Sequence, residues 1–167
     1  SDRIRESIFN RLASRELLDG ARVLDLYAGT GALALEAISR GASAAVLVEK
    51  DGKAAAVCNQ NAQLIQKALE KEGFFDPVIK VAHKSVHSFL STDTTEYDLV
   101  FIDPPYDVSN QEVIENLEAL SARLAKNASV MVERSSRSEA LALPSGFELD
   151  EEKSYGDTTV YWLLKSA

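Results

Sequence analysis

Residues 103–106 read DPPY and follow the apolar run YDLVFI at 97–102. Proline has no N–H to give to a sheet ladder, so a strand must stop at Pro104. A carboxylate, a carbonyl and a phenol ring are thereby fixed on one stiff turn. A planar amine carries two N–H donors that need two acceptors. Asp103 offers its carboxylate, and the Pro104 carbonyl is freed from regular pairing by the two prolines. Tyr106 adds a flat face on which a base can stack. The prolines limit the freedom left to lose when a ligand arrives. The chemistry that suits this turn is the clamping of an exocyclic amino group, its lone pair directed at an electrophile.

A second constellation lies upstream. VLDLYAGTGALALEA (23–37) reads as a strand, a tight glycine turn and a helix. Gly29 and Gly31 permit close backbone approach to a ligand, and the helix start offers unpaired N–H groups to an anionic or carboxylate-bearing one. Gly29-x-Gly31-x-x-Ala34 fits the loose dinucleotide fingerprint, which is weak alone. Glu49 follows Gly29 by 20 residues, where an acid can accept from both hydroxyls of a ribose. A nicotinamide dinucleotide and S-adenosylmethionine both carry that ribose. Asp25 tilts the choice: a carboxylate there repels a pyrophosphate but suits an amino-acid ammonium group or its hydration water. The expected cofactor is S-adenosylmethionine, held by Asp25, Ala28, Gly29, Thr30, Gly31, Glu49 and Lys50.

Both motifs must sit at converging strand ends, and the rest of the chain supplies that frame. Strands are expected at 22–27, 44–49, 77–83, 97–103 and 128–134, and helices at 32–41, 53–73, 85–91 and 110–124. Segments 147–156 and 158–165 read as a closing antiparallel pair, at the sheet edge or inserted beside the fifth strand. Residues 135–146 read as a helix or loop. Buried strands alternating with amphipathic helices predict an α/β, Rossmann-like, seven-stranded and mostly parallel sheet with an antiparallel last strand. In open α/β sheets ligands bind at the carboxyl ends of strands, so the glycine loop and DPPY should face one cleft. One domain is expected over residues 1–167, with residues 1–20 as a leading helix.

The gross numbers agree with a chain of this kind. The 167 residues are 46% hydrophobic, enough for one sizeable core. No apolar run is long enough to span a membrane, and the charged start does not read as a signal peptide. One cysteine excludes an internal disulfide and suits a reducing, cytoplasmic setting. Cys58, in a helical stretch, reads as buried packing rather than a nucleophile. Net charge is −8, which argues against broad coating of nucleic acid. The charge is uneven: residues 1–15 carry +2 and the remainder −10. Arg3, Arg5, Arg11 and Arg15 form either a solvated helix face or a phosphate-contacting edge, and Arg3, Arg5 and Arg11 are the candidates for RNA. Phe9 reads as core. His83 and His87 straddle a strand end and a helix start without a third ligand, so no metal is expected. No Ser-His-Asp or Cys-His set is visible, and no paired carboxylates stand out beyond Asp25 and Asp103.

Five segments in order carry a resemblance. SDRIRESIFNRL (1–12), VLDLYAGTGALALEAISRGA (23–42), VLVEKD (46–51), DLVFIDPPY (98–106) and YGDTTVYWL (155–163) resemble the RsmD-like ribosomal RNA (guanine-N2) methyltransferase family. The resemblance implies methyl transfer from S-adenosylmethionine to the exocyclic N2 of a guanine in 16S, small-subunit ribosomal RNA, within a small-subunit particle and by a monomer. It implies that Asp103, Pro104 and Tyr106 act on the target amine, with Asp103 also beside the cofactor. It implies that the backbone of Ser85 and Val86 meets the adenine edge, with His83 or Lys84 as the side chain that reads it. It also implies that the first helix closes over the methionine end of the cofactor, and that a basic, strand-rich segment precedes Ser1. Three rivals differ in kind. An adenine-N6 methyltransferase would use the same clamp. A nicotinamide-dependent reductase would leave Asp25 and DPPY without a role. A non-catalytic RNA-binding or assembly domain would bind cofactor without transferring methyl.

Overall fold

A computed structural model describes residues 1–73 and 76–166. In chain order the elements are α1 (Asp2–Ser14), β1 (Arg22–Leu26), α2 (Ala32–Ser39), β2 (Ala44–Val48), α3 (Gly52–Glu72), β3 (Val78–Ala82), α4 (Val86–Thr92), β4 (Tyr97–Ile102), α5 (Asn110–Leu120), β5 (Leu124–Ser135), β6 (Phe147–Tyr155) and β7 (Thr158–Lys165). The seven strands form one sheet in the order β3-β2-β1-β4-β5-β7-β6. β1 pairs in parallel with β2 and β4, β2 with β3, and β4 with β5. β7 is antiparallel to both β5 and β6. The closing pair is thus inserted: β7 takes the place beside β5, and β6 forms the edge. Among the described residues no helix is long and apolar enough to cross a membrane.

The sheet is covered on both faces, which is why its central strands carry apolar residues at both parities. Phe9, Leu12, Val23, Leu47, Phe101, Met131 and Trp162 belong to the core under α1, α2 and α3. Leu24, Leu26, Val48, Val100, Ile102 and Val132 face α4 and α5 instead. Phe9 is core, as expected, and tilts against Phe101 with ring centroids 6.0 Å apart. Strand alternation then fixes where polar residues at the strand ends must point. Asp25, Asp103 and Glu133 share parity with Val23, Phe101 and Met131, so they face the α1 side. Glu49 shares it with Leu47 and does the same.

Most boundaries lie within two residues of the sequence expectation, and three differences have a clear physical reason. The first strand ends at Leu26, because Tyr27 has turned to a φ of 61°. The helix expected through residue 124 ends at Leu120, and Ser121–Arg123 form a single 3-10 turn. The fifth strand begins at Leu124 rather than 128, since Leu124 is buried and already pairs with Tyr97. A register shift between Tyr97 and Leu99, and a φ of 67° at Asn127, absorb the irregularity. Residues 136–146 contain no helix; the loop is pinned where Leu141 enters the core.

Candidate active site

The glycine turn is built by hydrogen bonds from both sides. Ala28 N–H donates to the Val48 carbonyl at 2.9 Å, and Gly31 N–H donates to the Ala28 carbonyl at 2.8 Å. Asn61 of α3 donates its side-chain amide to the Thr30 carbonyl at 2.9 Å. Gly29 and Gly31 both have positive φ, 59° and 88°. α2 starts at Gly31, which has no capping side chain, so the Ala32 and Leu33 N–H groups stay available to a ligand. Asp25 reaches under this start and accepts from Ala34 N–H at 3.1 Å.

Glu49 holds the other side of the turn. Its carboxylate accepts from Gly29 N–H at 2.8 Å with one oxygen and from Asp51 N–H at 2.9 Å with the other. A carboxylate offers about four lone-pair sites, so each oxygen keeps one for a hydroxyl. The ring of His83 lies 3.0 Å from the Lys50 carbonyl and beside Gly52.

The DPPY turn stands across from the glycine turn, because β4 lies directly beside β1. Val108 N–H donates to the Pro105 carbonyl at 3.1 Å, which closes the turn. No backbone donor among the described residues reaches the Pro104 carbonyl. Arg134 braces the segment that follows: it donates to the Val108 carbonyl at 2.8 Å and to the Asn110 amide oxygen at 2.9 Å. Tyr106 projects almost fully into solvent, with 93% of its surface exposed. Tyr27 ties the glycine turn to α5, donating its hydroxyl to Glu112 at 2.8 Å and accepting from Asn116 at 2.6 Å.

Between the turns lies a cleft of about 640 Å³. Of the residues expected at the site, Asp25, Ala28, Gly29, Thr30, Glu49, Lys50, Val86, Asp103, Pro104 and Tyr106 line it. Gly31 and Ser85 do not. Gly31 is buried behind the wall and shapes it; exposed Ser85 caps α4, accepting from Ser88 N–H at 3.1 Å. Ser1 and Ile4, at the start of α1, close one side. Sequence reading missed Glu133, Arg134, Ser135, Ser138 and Thr158, which line the cleft from β5, the loop after it and β7. Nothing local marks them; the pairing of β5 with β4, and of β7 with β5, brings them there.

Four carboxyls line the cleft, with Lys50 and Arg134 as its cations. Burial pushes Asp25 up to about 8, helped by the charges of Asp103 and Glu49 and opposed by the Ala34 hydrogen bond. Burial and then a hydrogen bond with Asp103 push Glu133 to about 8 as well. Cys58 is fully buried under the glycine turn, and burial raises its thiol to about 11, so it packs and does not react.

The candidate RNA-contacting arginines fare differently from one another. Arg3 is exposed, and Arg5 pairs with Asp2 at 3.1 Å. Arg11 is engaged by Asp150 and Glu151 and lies over the Trp162 ring, 4.6 Å from its centroid. Arg15 pairs with the same Asp150 at 2.9 Å. A second groove of about 510 Å³, lined by Arg3, Arg11, Glu151, Lys153, Tyr155 and Trp162 among others, runs between α1 and the β6-β7 edge. It lies at no carboxyl end of a parallel strand and holds neither motif.

The model of a family described as "Conserved hypothetical protein 95" matches residues 1–164. The chain is 35% identical over 157 residues to the ribosomal RNA small subunit methyltransferase D of Escherichia coli, covering 93% of this chain and 73% of that one. A solved structure of a conserved hypothetical protein from Streptococcus pyogenes superposes with a TM-score of 0.81 at 34% identity, over 97% of this chain and 95% of that one. The magnesium protoporphyrin IX methyltransferase of Synechocystis shares the fold, with a TM-score of 0.71 at 14% identity over 98% and 79% of the two chains.

Proposed function

The chain belongs to the family described as Conserved hypothetical protein 95, and from that premise we propose that it methylates the exocyclic N2 of a guanine in 16S, small-subunit ribosomal RNA. The observation that carries this reading is the single cleft shared by the DPPY turn and the glycine turn. The relative from Escherichia coli, named for small-subunit ribosomal RNA, supplies the substrate class.

The residues present fit S-adenosylmethionine. Glu49 has an oxygen lone pair for each ribose hydroxyl, Asp25 suits the ammonium group, and the uncapped start of α2 suits the carboxylate. When bound, the cofactor supplies an electrophilic methyl group. The protein does the rest by positioning. Guanine N2 is a poor nucleophile because its lone pair is delocalised into the ring. Hydrogen bonds from the amine to Asp103 and to the Pro104 carbonyl localise that pair and point it across the cleft. Asp103 then stabilises the positive charge that develops on nitrogen and takes the proton. Tyr106 stands at the rim as a stacking face for a base turned out of its helix. Arg3 and Arg5 sit on α1, whose Ser1 and Ile4 line the cleft, and supply positive charge for the RNA backbone.

Labelled S-adenosylmethionine, incubated with the protein and small-subunit ribosomal RNA, free or in immature particles, should give labelled N2-methylguanosine. Label in N6-methyladenosine would replace the guanine reading. Cofactor binding without transfer to either base would make the chain a binding domain.

Asp25 gives a prediction on the cofactor alone. Its carboxyl, pushed up to about 8, is mostly protonated at pH 7. An ammonium group favours the ionised form, so binding must release that proton. Calorimetry with S-adenosylhomocysteine in buffers of different ionisation enthalpy should read about one proton released at pH 7. Affinity should rise with pH until about 8 and level there. Asp25→Asn should abolish the release and flatten the profile; release unchanged in that variant would remove Asp25 from the ammonium site.

A further inference from the structure

Four carboxyls stand in a row on one face of the sheet, each at or near the carboxyl end of its strand: Glu49 after β2, Asp25 in β1, Asp103 after β4 and Glu133 in β5. The methyl-transfer reading gives work to the first three and none to Glu133. Yet Glu133 is the neighbour of Asp103. Val132 is in register with Ile102, so the next residue on each strand is Glu133 and Asp103. Both have the same pleat parity and both line the cleft, so their side chains stand side by side.

We propose that Glu133 is the positioning residue for Asp103, holding a proton between the two carboxyls and donating it to one Asp103 oxygen so that the other faces the target amine. Two carboxylates in contact cannot both ionise without a large repulsion, so the pair keeps one proton. Glu133 is given that proton because burial pushes its carboxyl upward. The groups facing it allow this. β4 brings Asp103, whose charge favours the protonated form. β7 brings Thr158 and Val160, which carry no charge. Arg134 leaves β5 on the opposite face, bound to Val108 and Asn110. No cation among the described residues pairs with Glu133. The arrangement turns an otherwise rotatable carboxylate into an acceptor with one aimed oxygen.

This inference rests on the proposed reaction, and its first test does not. Infrared difference spectra of the free protein, wild type minus Glu133→Gln, should show a protonated carboxyl at pH 7 that disappears as pH rises through about 8. Asp103→Ala should move that titration to lower pH. An ionised Glu133 at pH 7, or a titration indifferent to Asp103→Ala, overturns the proposal whether or not methyl transfer occurs. The second test is the single-turnover rate on RNA at saturating cofactor. Glu133→Gln keeps a donor and should stay within about threefold of wild type at pH 7; Glu133→Ala should be slower by about tenfold or more with cofactor affinity unchanged. The wild-type rate should fall above about pH 8 and that of Glu133→Gln should not, apart from any limb common to both that belongs to the RNA. A glutamine variant as slow as the alanine variant, or with the wild-type fall, shows that Glu133 merely fills the wall.

Discussion

Asp103→Ala should slow methyl transfer roughly 30- to 1000-fold, about 2–4 kcal/mol in the chemical step, with cofactor affinity changed little. The asymmetry follows from where Asp103 stands. The glycine turn, Asp25 and Glu49 are held by their own hydrogen bonds to Ala34, Gly29 and Asp51, none of which involves Asp103. Removing Asp103 takes away the one anionic acceptor on the DPPY turn, where charge develops late in the reaction. The turn itself should survive, since Pro104, Pro105, the Val108-to-Pro105 hydrogen bond and the Arg134 brace remain. Single-turnover rates at saturating cofactor separate the chemical step from binding, and thermal unfolding checks the fold. Transfer at the wild-type rate by a folded Asp103→Ala protein would leave Asp103 as a residue that only ends a strand.

The sequence made most of the frame legible because its signals are local. Apolar runs mark every strand of the parallel part, though not the start of β5, and DPPY marks the end of β4 through the chemistry of proline alone. The acid 20 residues after Gly29 was legible for the same reason, since strand, turn and helix lengths in such a unit vary little. What escaped depends on tertiary placement. VMVERSS reads as a strand with a charged end, and nothing in it says that Glu133 stands beside Asp103 while Arg134 points to the opposite face. The arginines of α1 share the same difficulty. Their excess of charge is legible, but the pairing of Arg11 and Arg15 with Asp150 joins positions well over a hundred residues apart. The resemblance places the backbone of Ser85 and Val86 at the adenine edge; Val86 lines the cleft there, and the Ser85 side chain caps α4.

Gly31→Ala should cost about 2–5 kcal/mol of stability, from two sources that can be told apart. The first is backbone strain: φ at Gly31 is 88°, and a side chain in the left-handed region costs about 1–2 kcal/mol. The second is space. A Cβ there would lie 2.9 Å from Leu47 Cδ2, 3.0 Å from Cys58 Sγ and 3.2 Å from Leu35 Cδ1. Leu47 and Cys58 are fully buried and Leu35 nearly so, and none can swing into solvent, so overpacking adds about 1–3 kcal/mol. For a chain of this size the sum corresponds to a fall in Tm of roughly 4–20 °C. Gly29→Ala is the matched control: its φ of 59° carries the strain, but nothing lies within 4 Å of its Cβ. It should therefore lose only the first share. Cys58→Ala removes one of the three contacts, so the double variant Gly31→Ala/Cys58→Ala should be more stable than the sum of its single changes predicts. Cofactor affinity should fall in Gly31→Ala as well. The residue touches no part of the cleft, but the Gly31 N–H bond to Ala28 and the start of α2 both depend on its dihedrals. Equal stability of the Gly29→Ala and Gly31→Ala proteins, by denaturant titration, would show that the packing behind the turn yields and that Gly31 serves backbone geometry alone.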